Sequence, residues 1–239
     1  MPNHYFRFRQ FTVHQDKCAM KVCTDACILG AWAASKTAER PVSSILDIGC
    51  GTGLLSLMLA QKTAAEIDAL EINSDAAQQA AENCAHSPWS GRITVMHTPM
   101  QEYQPVKKYD LIISNPPFYA DDLRSPDEKK NAAKHDTQLR IGEILSFIKV
   151  NLDEQGIAVL MIPFHRTAWF EGEAKRLNLS VQEKLFVRQT AAHHHFRAIM
   201  LLGKEDTGLL QSTTLTIHDS GRNYTADFSR LLKEYYLAL

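Results

Sequence analysis

The sequence predicts an α/β protein built on a doubly wound, mostly parallel sheet of seven strands with helices on both faces. Three observations carry this expectation. From residue 44 onward, short β-branched apolar runs alternate with segments of helical length and period. The first of these runs ends in closely spaced glycines, a tight strand-to-helix turn. Finally, 239 residues at 45% hydrophobic content suit one large domain better than two. Residues 44–239 are therefore read as the core and residues 1–43 as an extension lying over it.

In chain order, Phe6 to Val22 alternates apolar and polar side chains and reads as a short hairpin. Thr24 is placed to cap a helix running through Ile28 and Trp32, and Pro41 closes that unit. Strands follow at Ser44–Ile48, Glu66–Ile72, Arg92–His97 and Tyr109–Ser114. Helices Leu54–Gln61 and Ser74–His86 lie between the first three, with Ser74 or Asp75 as the cap of the second. After a polar stretch come a helix over 138–151, the strand Ile157–Ile162, a helix over 165–178, and strands near Val181–Arg188 and Phe196–Leu202.

Composition narrows the function classes. With 26 Lys and Arg against 27 Asp and Glu, a net charge of -1 gives no global attraction to a polyanion, so any such partner must be met by a local patch. The longest apolar stretches, such as Ile157 to Phe164, are too short to span a bilayer, and Met1 to Gln15 lacks a signal-peptide core. Cysteines at 18, 23, 27, 50 and 84 are odd in number and without paired C-x-x-C spacing, which argues for reduced thiols rather than disulfides or zinc. A soluble cytoplasmic protein, monomeric by default and without membrane or metal, is expected.

The segment Leu46-Asp47-Ile48-Gly49-Cys50-Gly51-Thr52-Gly53 lies where the first strand turns into a helix, the position that opens onto the ligand crevice of such sheets. Gly49, Gly51 and Gly53 let a ligand rest on bare main chain. A dinucleotide fingerprint would need its third glycine at Leu54, so a nicotinamide cofactor loses support. Asp47 suits an ammonium better than a pyrophosphate, and Glu71, ending the second strand, can accept from both hydroxyls of a ribose. An ammonium, a ribose and no phosphate describe S-adenosylmethionine, the expected cofactor.

Strand four ends in Ser114-Asn115-Pro116-Pro117-Phe118 beside the same crevice. A planar amino or amide nitrogen gives its lone pair to its π-system and attacks poorly until its hydrogens are gripped and the lone pair is redirected. The Asn115 side-chain oxygen and the Pro116 carbonyl can accept the two N–H groups, while Phe118 offers a stacking surface. Pro116 and Pro117 hold the residue before each in extended geometry, which preorganises the acceptors. No strong base is required, since the nitrogen becomes acidic once methylated. Asn115, Pro116, Pro117 and Phe118 are the expected catalytic set.

Two regions are candidates for contacting a larger substrate. Tyr119 to Arg140 follows the motif directly and holds Arg124, Lys129 and Lys130 with balancing acids; it reads as a solvated loop or, by its location, as a substrate loop with Tyr119 at its head. Arg7 and Arg9 share one strand face, opposite Phe6 and Phe8, with Lys17 and Lys21 nearby, a surface for RNA phosphates or an ordinary charged hairpin. His193, His194 and His195, taken as consecutive strand residues, point to opposite faces and cannot share one metal ion.

LDIGCGTG resembles motif I of the class I S-adenosylmethionine-dependent methyltransferases, a Rossmann-like fold, and SNPPF resembles the [DNS]-PP-[FYW] motif of enzymes that methylate adenine N6, cytosine N4 or a glutamine amide. Such families often place an Asp after the third strand to bind the cofactor's adenine. Pro99 stands there in this chain, which leaves main-chain groups near Met100 for that role. Phe118 is similar to the adenine enzymes, whereas glutamine-modifying release-factor enzymes usually carry NPPY. From FRFRQFTVHQDKCAMKVCTDACILGAW through both motifs, nearly the whole chain is similar to the bacterial valine-tRNA adenine-N6 methyltransferase family. That resemblance implies a tRNA substrate, methylation of the adenine beside the anticodon, and an N-terminal extension that helps close the cofactor site. Alternatives are a DNA adenine or protein glutamine methyltransferase, and a non-catalytic RNA-binding protein retaining the cofactor pocket.

Overall fold

The computed structural model describes residues 4–18, 20–116, 141–206, 208 and 210–239. Strands β1 (Tyr5–Arg7) and β2 (Thr12–His14) form the expected antiparallel hairpin, with Phe6 opposite Val13. Side chains alternate across it: Phe8 is buried and stacks on Phe11 at a centroid distance of 4.5 Å, while Arg7 and Arg9 are exposed. Helix α1 (Thr24–Lys36) is buried without interruption from Ala26 to Ala34, as suits a helix apolar around its circumference. Thr24 does not cap it. Cys23 takes the cap position, with no side-chain cap hydrogen bond.

The core then runs β3 (Ser44–Ile48), α2 (Leu54–Ala60), β4 (Glu66–Glu71), α3 (Ser74–Ala85), β5 (Ile93–His97) and β6 (Tyr109–Ser114). Beyond the undescribed stretch come α4 (Ile141–Asn151), β7 (Leu152–Pro163), α5 (Thr167–Arg176), β8 (Ser180–Arg188), β9 (Arg197–Gly203), β10 (Gln211–Thr216) and α6 (Ala226–Leu232). The sheet order is β10-β8-β9-β7-β6-β3-β4-β5, and β9 is antiparallel to both neighbours.

Both faces are covered, which is why the central strands are continuously apolar rather than alternating. On one face Ile45, Leu111, Val159 and Leu201 pack with α1 and α2; on the other Leu46, Ile112, Leu160 and Met200 pack with Ile148 of α4 and Phe170 of α5. Each such fully buried side chain contributes roughly 1.5–3 kcal/mol by leaving water.

The doubly wound, mostly parallel architecture is the expected one, with differences at its margins. An eighth strand, β10, pairs in parallel with β8, and its sequence QSTTLT is mostly polar because an edge strand there is largely exposed. Helix α6 adds a further element, capped by Thr225, whose side chain accepts from the Phe228 N–H. Asn73, one residue before Ser74, caps α3 by accepting from the Ala76 N–H. Strand β7 begins at Leu152 rather than Ile157, and a 3-10 turn over Phe164–Arg166 precedes α5. At the centre of the sheet β3 and β6 are neighbours, with Ile48 paired to Ser114, so the glycine turn and the Asn-Pro segment leave the carboxyl edge side by side.

Candidate active site

The turn between β3 and α2 is built on left-handed backbone: φ is 74° at Gly49, 55° at Gly51 and 80° at Gly53. A Cβ at Gly53 would lie 3.3 Å from the Cys84 sulfur, whereas one at Gly51 would enter open space. Gly53 is thus needed for packing against α3, and Gly51 for the bare surface it presents. The N–H groups of Gly49 and Cys50 both donate to the Leu70 carbonyl at 2.9 Å, which ties the turn to β4.

Asp47 differs from expectation. It is fully buried beneath the turn, where its Oδ2 accepts from the Ser56 N–H at 3.1 Å and the Ser56 hydroxyl at 2.7 Å, and its Oδ1 is buried without a partner among the described residues. Burial pushes the Asp47 carboxyl up to about 7, against the opposing pull of the two Ser56 bonds. The carboxylate therefore organises the opening of α2 rather than facing the crevice directly.

Glu71, at the end of β4, accepts from the Gly51 N–H at 2.8 Å and the Asn73 N–H at 2.9 Å, one on each oxygen. Each oxygen keeps a second acceptor position. Gly49, Gly51, Glu71, Asn73, Asn115 and Pro116 help to line a cavity of about 300 Å³. Next to it, a small recess is lined by Ile48, Ile72, Pro99 and Met100. Met100 is buried and opens a 3-10 turn, whose first N–H groups have no acceptor within the turn.

Ser114 locks the second motif to the first. Its buried hydroxyl donates to the Ile48 carbonyl at 2.8 Å, so the chain enters Asn115 at a fixed offset from Gly49. Among the described residues, the Asn115 side-chain oxygen is buried and has no hydrogen-bond partner. An unpaired buried amide oxygen carries a desolvation cost of about 1–3 kcal/mol, which an incoming donor would relieve. Pro117, Phe118, Tyr119, Arg124, Lys129 and Lys130 lie outside the described residues.

The far wall comes from the N-terminal extension: Lys17, Cys18 and Met20 line the same cavity. Buried amides of α3 hold it there. Asn83 accepts from the His14 N–H at 2.9 Å and donates to the His14 carbonyl at 2.8 Å and the Thr52 carbonyl at 2.9 Å. Gln79 accepts from the Lys17 N–H at 2.8 Å. Sequence reasoning missed the roles of Ser114, at the end of β6, and of Gln79 and Asn83 in α3, since a polar residue in a strand or a mixed helix carries no sign of its tertiary partner. Burial raises the Cys18 thiol to about 11 and Cys50 well above its ordinary value, so both are protonated and poor nucleophiles.

Of the basic residues expected to form one patch, Arg7, Arg9 and Lys17 line a second concavity between the hairpin and α3, with Asp16 and Glu82 among them. Lys17 bonds both oxygens of Glu82, and the Arg9 guanidinium donates to the Tyr236 carbonyl at 2.7 Å. Lys21 is exposed and lines neither cavity. His193, His194 and His195 occupy the turn between β8 and β9 rather than a strand. Among the described residues no group of three or more His, Cys, Asp or Glu could hold a metal, and no helix is long and apolar enough to cross a membrane.

Residues 33–137 match the family described as methyltransferase small domain. The chain is similar along its length to curated relatives. It is 39% identical over 241 residues to the tRNA1(Val) (adenine(37)-N6)-methyltransferase of Parabacteroides distasonis, covering 100% of both chains. It is 43% identical over 239 residues to the protein of that name from Dyadobacter fermentans, covering 98% of both. Its fold is similar to that of a predicted O-methyltransferase from Agrobacterium tumefaciens, with a TM-score of 0.66 and 16% identity over 86% of this chain and 95% of the other.

Proposed function

This chain belongs to the tRNA1(Val) (adenine(37)-N6)-methyltransferase family, and on that premise we propose that it transfers a methyl group from S-adenosylmethionine to N6 of the adenine beside the anticodon of a valine tRNA. The observation that carries the chemistry is the buried Asn115 side-chain oxygen, unpartnered among the described residues, at the wall of the glycine-turn cavity. It is an acceptor awaiting a donor, and a planar amino group is the donor that an Asn-Pro acceptor pair fits.

The residues present suit the cofactor. The bare main chain at Gly51 can lie against it, and the free acceptor positions on Glu71 suit two ribose hydroxyls. The recess at Pro99 and Met100 has the apolar walls and opening N–H groups for an adenine ring. Asp47, beneath the turn, sets negative charge against the ammonium of the amino-acid end, whose approach favours its ionised form. When bound, S-adenosylmethionine supplies an electrophilic methyl on a sulfonium. Asn115 and Pro116 would accept hydrogen bonds from the two amino N–H groups and turn the nitrogen lone pair toward that methyl, and one proton would leave to solvent once the nitrogen is cationic. Lys17, Cys18 and Met20, which line the same cavity, would shield the cofactor from water.

A target base in a single-stranded anticodon loop leaves its stack at lower cost than one in a duplex, which favours tRNA over DNA. We place the protein, like its substrate, in the cytoplasm, acting as a monomer. The deciding assay offers labelled cofactor with tRNA, duplex DNA and a release factor. Label in tRNA, recovered as N6-methyladenosine, is expected; label in DNA or protein would redirect the reading, and RNA binding without label would favour a non-catalytic role.

A further inference from the structure

We propose that the rim formed by the β7–α5 turn and the β8–β9 turn is the surface that carries the RNA flanking the target adenine, with Trp169 as a stacking platform. The inference rests on the methyl-transfer reading and adds where the substrate lies. Strand direction gathers these turns. Strands β6, β7 and β8 run parallel and β9 runs antiparallel, so the end of β7, the end of β8 and the start of β9 share the carboxyl edge at which Asn115 emerges. Ser114 pairs with Leu160, and β7 continues to Pro163 before turning at Phe164, roughly 13 Å beyond that level at the rise of a strand.

The two turns are chemically alike. Residues 164–169 read FHRTAW and residues 188–197 read RQTAAHHHFR, which together hold three arginines and four histidines and no acid. Among the described residues, Asp25 pairs with Arg197 at 3.0 Å, and Glu171 with Lys184 at 2.5 Å. The Arg188 guanidinium donates to neutral acceptors, the Thr216 hydroxyl at 2.9 Å and the Ala191 carbonyl at 3.4 Å. This contrasts with the N-terminal concavity, where Asp16 and Glu82 offset the bases.

Trp169 supplies the second half of the argument. It is 47% exposed in the first turn of α5, where burial would be the ordinary fate of an indole, and the Arg166 guanidinium lies 5.9 Å from its ring centroid. On the same rim, His195 packs against Phe164 and Phe186, at 4.9 and 5.4 Å. Exposed aromatic faces set among cations are what unpaired bases and their phosphates bind: the ring stacks on any base, and the charges track the backbone. An acidic polypeptide would use the charges but not the indole face.

The test uses the full-length protein. A Trp169→Ala, Arg166→Ala double variant is expected to raise the KM for tRNA about tenfold and to flatten its salt dependence. The dissociation constant for the cofactor and kcat at saturating tRNA should stay within about twofold of wild type. A single-stranded RNA oligonucleotide is expected to quench tryptophan fluorescence in the wild type and much less in Trp169→Phe. An unchanged tRNA KM, an equal loss of cofactor affinity, or quenching by poly-glutamate as strong as by RNA would overturn the proposal. Absence of any tRNA methylation by the wild type would sink the functional reading instead, while the quenching experiment would still judge the surface.

Discussion

Asp47 shows how one residue can serve a loop and report on its own burial. Its carboxyl is raised to about 7 from 3.8 because the surrounding turn excludes water more than Ser56 compensates. A raised acid binds a proton in the folded chain that the unfolded chain has already released. Its contribution to stability is therefore fully present below about pH 4 and is lost as the pH climbs to about 7. The ligand-free protein should thus show a fall in urea midpoint between pH 5 and pH 8 that is smaller in Asp47→Asn, which keeps an acceptor for Ser56 without the charge; equal falls in both would refute this. At this scale the sequence was partly legible. The glycines were readable because glycine adopts φ near 74°, 55° and 80° at three alternate positions without steric cost. The side to which the Asp47 carboxylate turns was not, because Ser56, its competing partner, lies nine residues away on another element.

Among the elements, the N-terminal extension behaves as a wall held by α3. Asn83 contributes three hydrogen bonds that join His14 on one side to the Thr52 carbonyl of the glycine turn on the other. Removing that amide frees the wall and one anchor of the turn together. Asn83→Ala is expected to weaken cofactor binding about tenfold by calorimetry, with kcat at saturating cofactor changed much less; an unaltered cofactor affinity would show that the wall closes without it. Periodicity disclosed the hairpin and α3, but the contact between them depends on two amides, Gln79 and Asn83, in a helix rich in Ala and polar residues. Strand β10 escaped for the opposite reason: at an edge, one unpaired side and an exposed face remove the apolar signal that central strands carry.

For the molecule as a whole, parallel strands and alternating helices put two motifs, separated by more than 60 residues of sequence, at one edge of the sheet. The Ser114 hydroxyl on the Ile48 carbonyl fixes their offset. This juxtaposition was legible in outline from strand order alone, because ligand crevices of such sheets open at the carboxyl ends. The choice of substrate was not legible in that way and comes from the full-length relatives. The claim that Asn115 grips an adenine amino group of tRNA is tested most directly by mass spectrometry of tRNA nucleosides from a deletion strain carrying either the wild-type gene or Asn115→Ala. The account expects N6-methyladenosine in the valine tRNA to vanish on deletion, to return with the wild type, and to stay at least about a hundredfold lower with Asn115→Ala. The same level of modified nucleoside in all strains would contradict it.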